Sequence, residues 1–427
     1  MEQKLIKFPN KFQAVICNVD SKMVSVSVSI NVGAELEPKG KSGIAHLVER
    51  LIRSNIYSKV AEYGGVVDTK TDFEHIEFVV STQSEYLENA MKDLSECIFD
   101  FYPKFANLER EKVKITQEQE KESFNPMAIL NNLTQKYIYK GTNLSTTILG
   151  TAKSIQDITL DDVRDFVAGV ITPESINISI VGDIAGIHNL SSEDCVNLSA
   201  DFDFVQSFIN KYFYIRVLEK DGKRKGRSTP TVVPVAPIYI GQKKSLNQTR
   251  FQISFPTSPY ESVGYKYTKI FEMYLGLYLR IELSKTAGVY GMEVATKQFK
   301  NNSHISISFA VDGDIANDVY EKVFDALMRL KDERVSKKDF ETLVVKYKTE
   351  VALNHLQPNI MASRYNKWLF IKGELFDINT ELKEIGALSY ENFITTCQLT
   401  LDFSKVVVIA IGKLFDFKPF RLINGGV

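Results

Sequence analysis

Two stretches of this chain end in the same way, and that repetition limits its fold more than any other feature. Ile158-Thr159-Leu160-Asp161-Asp162-Val163 opens a helical pattern that gives way to Ile176-Asn177-Ile178-Ser179-Ile180-Val181-Gly182, an apolar strand stopping at glycine. Leu388-Ser389-Tyr390-Glu391-Asn392-Phe393 leads a second such helix, and Val406-Val407-Val408-Ile409-Ala410-Ile411-Gly412 is a second such strand. Thr159 to Gly182 and Ser389 to Gly412 each span 23 positions, so the copies share a register and are offset by 230 residues. A chain of 427 residues is too long for one core. The duplication makes it two.

The openings of the halves agree. Val24, Val26, Val28, Ile30 and Val32 alternate with Ser25, Ser27, Ser29 and Asn31, the pattern of a half-buried strand, and Phe251, Ile253 and Phe255 do likewise. Helices are expected over 42–54, 87–101, 107–122, 262–283, 315–330 and 337–355. Helices among short alternating strands predict an α+β chain of two homologous domains, each an antiparallel-rich sheet covered by helices. The expected boundaries are 1–215 and 230–427, joined by a basic linker over 216–229 that holds Lys220, Lys223, Arg224, Lys225 and Arg227.

Composition excludes several classes of function. Lys+Arg 52 against Asp+Glu 53 leaves a net charge of −1, which gives no electrostatic drive toward nucleic acid or an anionic membrane. No stretch reaches the roughly 18 apolar residues of a membrane span, and MEQKLIKFPNKF lacks the apolar core of a signal peptide. A cytoplasmic protein is the expectation. Cys17, Cys97, Cys195 and Cys397 have no CxxC spacing, so free thiols are expected in place of a disulfide framework or a thiolate metal site.

On the first long helix, His46, Glu49, Arg50 and Arg53 fall at i, i+3, i+4 and i+7 and share one face, while Leu47, Val48, Leu51 and Ile52 serve the core. A helix reading His-x-x-Glu-His would offer zinc two imidazoles one turn apart, with a carboxylate to deprotonate a bound water. This chain reads His46-Leu47-Val48-Glu49-Arg50. Further on, Glu111, Ile115, Glu118 and Glu122 occupy successive turns of one helix face, from which a carboxylate ligand could come.

These residues together resemble the pitrilysin/insulinase family of inverted zincins, in particular its two-domain bacterial members and the subunits of mitochondrial processing peptidase. Gly43 to Leu51 looks like the metal helix of that family, and Gly64 to Glu74 like its active-site edge strand. Glu111 to Glu118 has the spacing of its second conserved glutamate and third ligand, and Ile148-Leu149-Gly150-Thr151 is similar to its signature before the last helix and strand of the first domain. The resemblance implies the LuxS/processing-peptidase-like fold. It makes His46 the first zinc ligand, Glu49 the general base and Glu118 the third ligand, with Glu111 and Glu74 as supporting carboxylates. Asp68, Thr71 and Tyr290 are the implied substrate contacts.

Position 50 breaks the set. Arginine has no usable lone pair and stays protonated, so it places a fixed positive charge where a dication would sit. The expectation is that Arg50 pairs with Glu118 or Glu111 and that zinc is absent or weak. The second half departs too: Leu283-Ser284-Lys285-Thr286-Ala287-Gly288-Val289-Tyr290 keeps the family's tyrosine, but Leu283 stands where its arginine is expected, with Arg280 one turn earlier. His75, His188, His304 and His355 read as packing or surface residues.

The first functional expectation is a non-catalytic or weakly active subunit. It would clasp an intact His-x-x-Glu-His partner as a heterodimer, or itself as a homodimer, and hold peptide by strand addition around Thr71–Glu77. Two alternatives stand beside it: an active metalloendopeptidase whose site is rebuilt, with His75 as the candidate ligand, and a structural scaffold.

Overall fold

The computed structural model describes residues 2–185, 198–218, 231–243, 246–284, 286, 288–413 and 421–423. The linker charges Lys220, Lys223, Arg224, Lys225 and Arg227 lie outside the described residues, as do His188, Cys195, Lys285 and Ala287. Numbered in chain order, the strands are β1 (Glu2–Lys7), β2 (Gln13–Asn18), β3 (Met23–Ile30), β4 (Val66–Thr71), β5 (Ile76–Gln83), β6 (Ile176–Gly182), β7 (Ile238–Lys243), β8 (Gln248–Pro256), β9 (Val289–Gln298), β10 (Ser303–Asp312), β11 (Val407–Gly412) and β12 (Arg421–Ile423). The helices are α1 (Ile44–Val60), α2 (Leu87–Phe99), α3 (Phe105–Ser123), α4 (Pro126–Ile138), α5 (Ala152–Gln156), α6 (Leu160–Val170), α7 (Leu198–Ile209), α8 (Ile215–Leu218), α9 (Tyr265–Leu283), α10 (Ala316–Asp332), α11 (Lys337–Leu353), α12 (Pro358–Lys372), α13 (Ile378–Gly386) and α14 (Tyr390–Thr400). This is the expected α+β architecture, and no helix of the described residues is long and apolar enough to cross a membrane.

The chain forms two compact units. The first comprises Met1–Gln119, Thr147–Ser228 and Leu353–Ile378. Its sheet runs β1-β2-β6-β3-β5-β4. Val24, Val26, Val28 and Ile30 of β3 join Ile176, Ile178 and Ile180 of β6 and Phe78 of β5 in one core with α1, α2 and α6. The opposite face carries Ser25, Ser27, Ser29 and Ser179, and these are buried as well. β3 is therefore covered on both sides, not half-buried. The cover is α12, whose Asn366 donates through Nδ2 to Ser27 Oγ (2.8 Å) and accepts from Ser179 Oγ at Oδ1 (2.7 Å). Hydroxyl groups under a helix are tolerable because each has a partner.

The second unit comprises Glu120–Thr146, Thr229–Ala352 and Asn379–Val427. Its sheet, β12-β7-β11-β8-β10-β9, repeats the first strand for strand except at the outer end, where β1 pairs antiparallel with β2 but β12 pairs parallel with β7. Phe251, Ile253 and Phe255 pack on α9, α10 and α14. On the other face α4 lies on the sheet: Gln252 Nε2 donates to Asn131 Oδ1 (3.1 Å), and the Tyr139 hydroxyl bonds His304 Nδ1 (2.8 Å). The compact units do not divide the chain at a single point: 120–146 belongs to the second unit and 353–378 to the first.

Both ends of the sequence repeat have a physical cause. Thr159 and Ser389 are the N-caps of α6 and α14, their side chains accepting from Asp162 N and Asn392 N. Gly182 and Gly412 adopt φ of +154° and +134°. A Cβ there would lie 2.3 Å from the Met23 carbonyl oxygen in the first sheet and 2.8 Å from that of Gln248 in the second. Only glycine fits where the strand passes so close to its neighbour.

Candidate functional site

Glu37 sets the start of α1. Its carboxyl oxygens accept from Gly43 N and Ala45 N, both at 3.0 Å, filling two of the donors that a helix start leaves open. Burial pushes this carboxyl up to about 8 against the pull of those two backbone donors. Gly43 has φ +92°, and a Cβ on it would meet Ile155 Cδ1 at 2.6 Å, so the helix begins pressed against the 149–155 segment. Ile44, Leu47, Val48, Leu51, Ile52 and Ile56 bury the inner face, leaving His46, Glu49, Arg50 and Arg53 on the other.

Glu49 is 2% exposed. It accepts from the Thr69 hydroxyl of β4. His46 Nδ1 stands 3.4 Å from Glu49 Oε2, and Arg53 Nε stands 3.6 Å from Glu49 Oε1. Arg50 bridges two carboxylates of α3: its Nε donates to Glu111 Oε2 (3.1 Å) and its Nη1 to Glu118 Oε2 (2.8 Å). Glu111, itself buried, also accepts from Lys114 Nζ at 2.7 Å. Burial raises the Glu111 carboxyl, but Lys114 and Arg50 outweigh it and hold the group below the usual carboxylate range. His46, with Arg50 and Arg53, lowers Glu118 against its partial burial. His46 Nε2 lies 3.5 Å from Glu118 Oε2 and makes no hydrogen bond.

α1 and α3 thus bring together His46, Glu49, Arg50, Glu111 and Glu118. This set does not fit a catalytic zinc. Two donors fall short of the three protein ligands such a metal takes, and the guanidinium already occupies the Glu118 oxygen that faces His46. Among the described residues no group of three or more His, Cys, Asp or Glu side chains could hold a metal ion.

The other expected residues are placed as follows. The outermost strand of the first sheet is β4, Val66–Thr71, so the edge precedes the expected Thr71–Glu77. Asp72 reverses the chain there, its Oδ1 accepting from Glu74 N (2.7 Å) and His75 N (2.9 Å), and β5 returns from Ile76. Asp68 is exposed on β4, and Thr71 ends it with its Oγ1 buried and unbonded. Glu74 is buried in the turn, where its charge, with those of Asp72 and Glu77, acts on Lys367 of α12; burial nonetheless holds that ammonium below its ordinary value. His75 sits in the same turn, its Nδ1 3.1 Å from Asp72 Oδ1. Burial lowers the imidazole, yet Asp72 outweighs this and keeps it above its ordinary value. His304 is buried against Tyr139, and His355 packs between the rings of Tyr365 and Phe376. In the second unit Tyr290 lies on the edge strand β9, its hydroxyl 3.4 Å from Asp312 Oδ2. Leu283 is buried at the end of α9, and Arg280 is exposed. Cys17, Cys97 and Cys397 are buried free thiols.

Sequence reasoning missed Thr69 and Glu37. Strand alternation holds the signal for the first, because Thr69 shares a face with Thr71. Glu37 acts from seven residues before the helix, beyond the usual capping positions.

Residues 14–152 match the insulinase family, peptidase family M16, and residues 157–345 match the inactive domain of peptidase M16. The zinc protease PqqE of Helicobacter pylori is 24% identical over 192 residues, 42% of this chain and 43% of that protein. Subunit beta of the mitochondrial-processing peptidase of Caenorhabditis elegans is 24% identical over 167 residues, 37% of this chain and 36% of that one. The chain spans less than half the length of these curated relatives. The crystal structure of a protease from Helicobacter pylori superposes with a TM-score of 0.82 at 17% identity, covering 96% of this chain and 99% of that one. A peptidase M16 inactive domain from Pseudomonas fluorescens gives 0.84 at 15%, covering 98% and 100%. The two sheets of matching strand order agree with these matches, and the chain belongs to the insulinase family, peptidase family M16.

Proposed function

We propose that this chain is the non-catalytic subunit of an M16 peptidase, which holds an extended peptide while a homologous subunit with an intact His-x-x-Glu-His motif cleaves it. The bridge from Arg50 to Glu111 and Glu118 carries the reading. The guanidinium supplies the positive charge that buried carboxylates require, so the site is satisfied without a metal. Glu49, the vestigial base, is tied to Thr69 and flanked by His46 and Arg53. Peptide binding falls to main-chain groups along β4, beside Asp68 and Thr71, and to Tyr290 on β9. That relatives include subunits named alpha and beta of mitochondrial-processing peptidase supports a partnered role.

The test is peptide cleavage by this chain alone and mixed with an intact homologue, together with metal analysis of protein purified in the presence of zinc. Cleavage only in the mixture, unaffected by Glu49→Gln in this chain, is expected. Cleavage by the chain alone that is lost with chelator or with Glu49→Gln, or stoichiometric zinc at this site, would overturn the proposal in favour of a rebuilt metallopeptidase. Absence of both cleavage and peptide binding would leave a scaffold.

A further inference from the structure

Phe78 pairs with Thr69 on one side and Val28 on the other, and Ile305 pairs with Thr296 and Phe255. Thr69 of β4 and Thr296 of β9 each lie on the outermost strand of their sheet. In an antiparallel ladder alternate residues turn both main-chain groups away from the neighbouring strand. At these positions they face outward: Thr296 N–H donates to Glu272 Oε2 at 3.1 Å, and the carbonyl of Val67, two residues before Thr69, accepts from the Tyr57 hydroxyl at 3.2 Å. The outward set on β4 is Val67, Thr69 and Thr71.

The edges differ in what is left for a visitor. On β9 Glu272, held by Lys269 Nζ at 2.7 Å, occupies an N–H that an added strand would need. On β4 the helix carboxylate beside Thr69, that of Glu49, takes the threonine hydroxyl and not its N–H. The main-chain groups of Thr69 and Thr71 make no hydrogen bond outside the ladder, whereas Val67 is engaged by Tyr57. An unpaired edge of this kind is a template for another strand unless a side chain closes it.

We infer that strand addition on β4 is confined to Thr69 and Thr71, with Tyr57 ending the added peptide at Val67. The ligand class is the main chain of an extended peptide, which gains up to four hydrogen bonds from the N–H and C=O of two residues. Tyr57 is thereby a specificity-determining residue that sets register and length. The inference rests on the peptide reading above.

Blocked peptides of alternating threonine and lysine, four and eight residues long, are titrated by fluorescence anisotropy into the wild-type chain and Tyr57→Phe, which keeps the ring and loses the hydroxyl. The wild-type chain is expected to bind both lengths within about twofold, because the longer peptide finds no further partner. Tyr57→Phe, with the Val67 carbonyl freed, is expected to bind the longer peptide about three- to tenfold more tightly, the effect of one net hydrogen bond, and the shorter one unchanged. Equal affinities in the two proteins for both lengths would overturn the role of Tyr57 while leaving peptide binding standing. Binding to neither protein would overturn this inference together with the peptide reading.

Discussion

Arg50 Nη1 lies 2.8 Å from Glu118 Oε2, and the same guanidinium reaches Glu111 Oε2 through Nε at 3.1 Å. One side chain therefore satisfies two carboxylates seven residues apart on α3 and ties that helix to α1. Arg50→Met removes both bonds and leaves Glu111, 2% exposed, with the lysine and arginine of its own helix. A loss of about 1.5–3 kcal/mol in urea unfolding is expected, the range for hydrogen bonds to charged groups. A change below about 0.5 kcal/mol, the scatter of neutral surface substitutions, would mean that the bridge adds nothing to stability.

Arg50→His tests the same place chemically. It supplies the imidazole one turn after His46 and releases Glu118, so the variant is expected to retain one zinc per chain after dialysis where the wild-type chain retains none. Elemental analysis decides it. A variant as metal-free as the wild type would show that the backbone has drifted from a ligand geometry.

Gly182→Ala must place its Cβ within 2.3 Å of the Met23 carbonyl oxygen, whereas Gly64, with φ +69°, has open space around it. Gly64→Ala is expected to cost about 1–2 kcal/mol, the price of a left-handed backbone alone. Gly182→Ala should cost clearly more, because β6 has to move away from β3. Equal unfolding midpoints for the two variants would contradict this.

His304 is buried and its imidazole is pushed down to about 3 by desolvation, with Lys297 adding to the shift. The unfolded chain takes up this proton near 6.5 and the folded chain does not, so protonation favours unfolding between those values. Stability is expected to fall by about 1.4 kcal/mol for each pH unit below 6.5 and to level off near 3. His304→Gln lacks the group, and its acid slope should be shallower by nearly one proton. Parallel slopes from pH 6 to pH 4 would refute the assignment.

Asn366→Ala removes the acceptor of the Ser179 hydroxyl and one of the two partners of the Ser27 hydroxyl, which still donates to Glu77 Oε1, beneath α12. One buried hydroxyl is left unsatisfied, and a cost of about 1–3 kcal/mol is expected. The 353–378 segment should also become more sensitive to limited proteolysis, and unchanged digestion would argue that packing alone holds it.

What the sequence discloses is what periodicity and local chemistry encode. Thr159, Ser389, Gly182 and Gly412 are legible because a helix cap and a close strand passage each demand particular residues. Arg50 is legible as a break in a ligand set. The coverings were not. The serines alternating with Val24, Val26 and Val28 read as a solvent face, and nothing in an amphipathic pattern names the sheet a helix packs on, least of all when α12 comes more than 300 residues later. The edge strand is legible within Gly64 to Glu74, but the segment expected to receive a peptide, Thr71–Glu77, falls too late: Thr71 to Phe78 alternates well enough for one strand, and the side chain of Asp72, accepting from Glu74 N and His75 N, turns it into a hairpin.

The exchange of α4 and α12 also governs the order in which this protein can be made. The first sheet is spelled out by residue 182, but its hydroxyl face has no cover until residue 372 has left the ribosome, so a nascent chain carries that face bare for about 190 residues. A fragment ending in the linker inherits the same defect permanently. It lacks α12 and still carries α4, a helix whose sheet has not yet been synthesised.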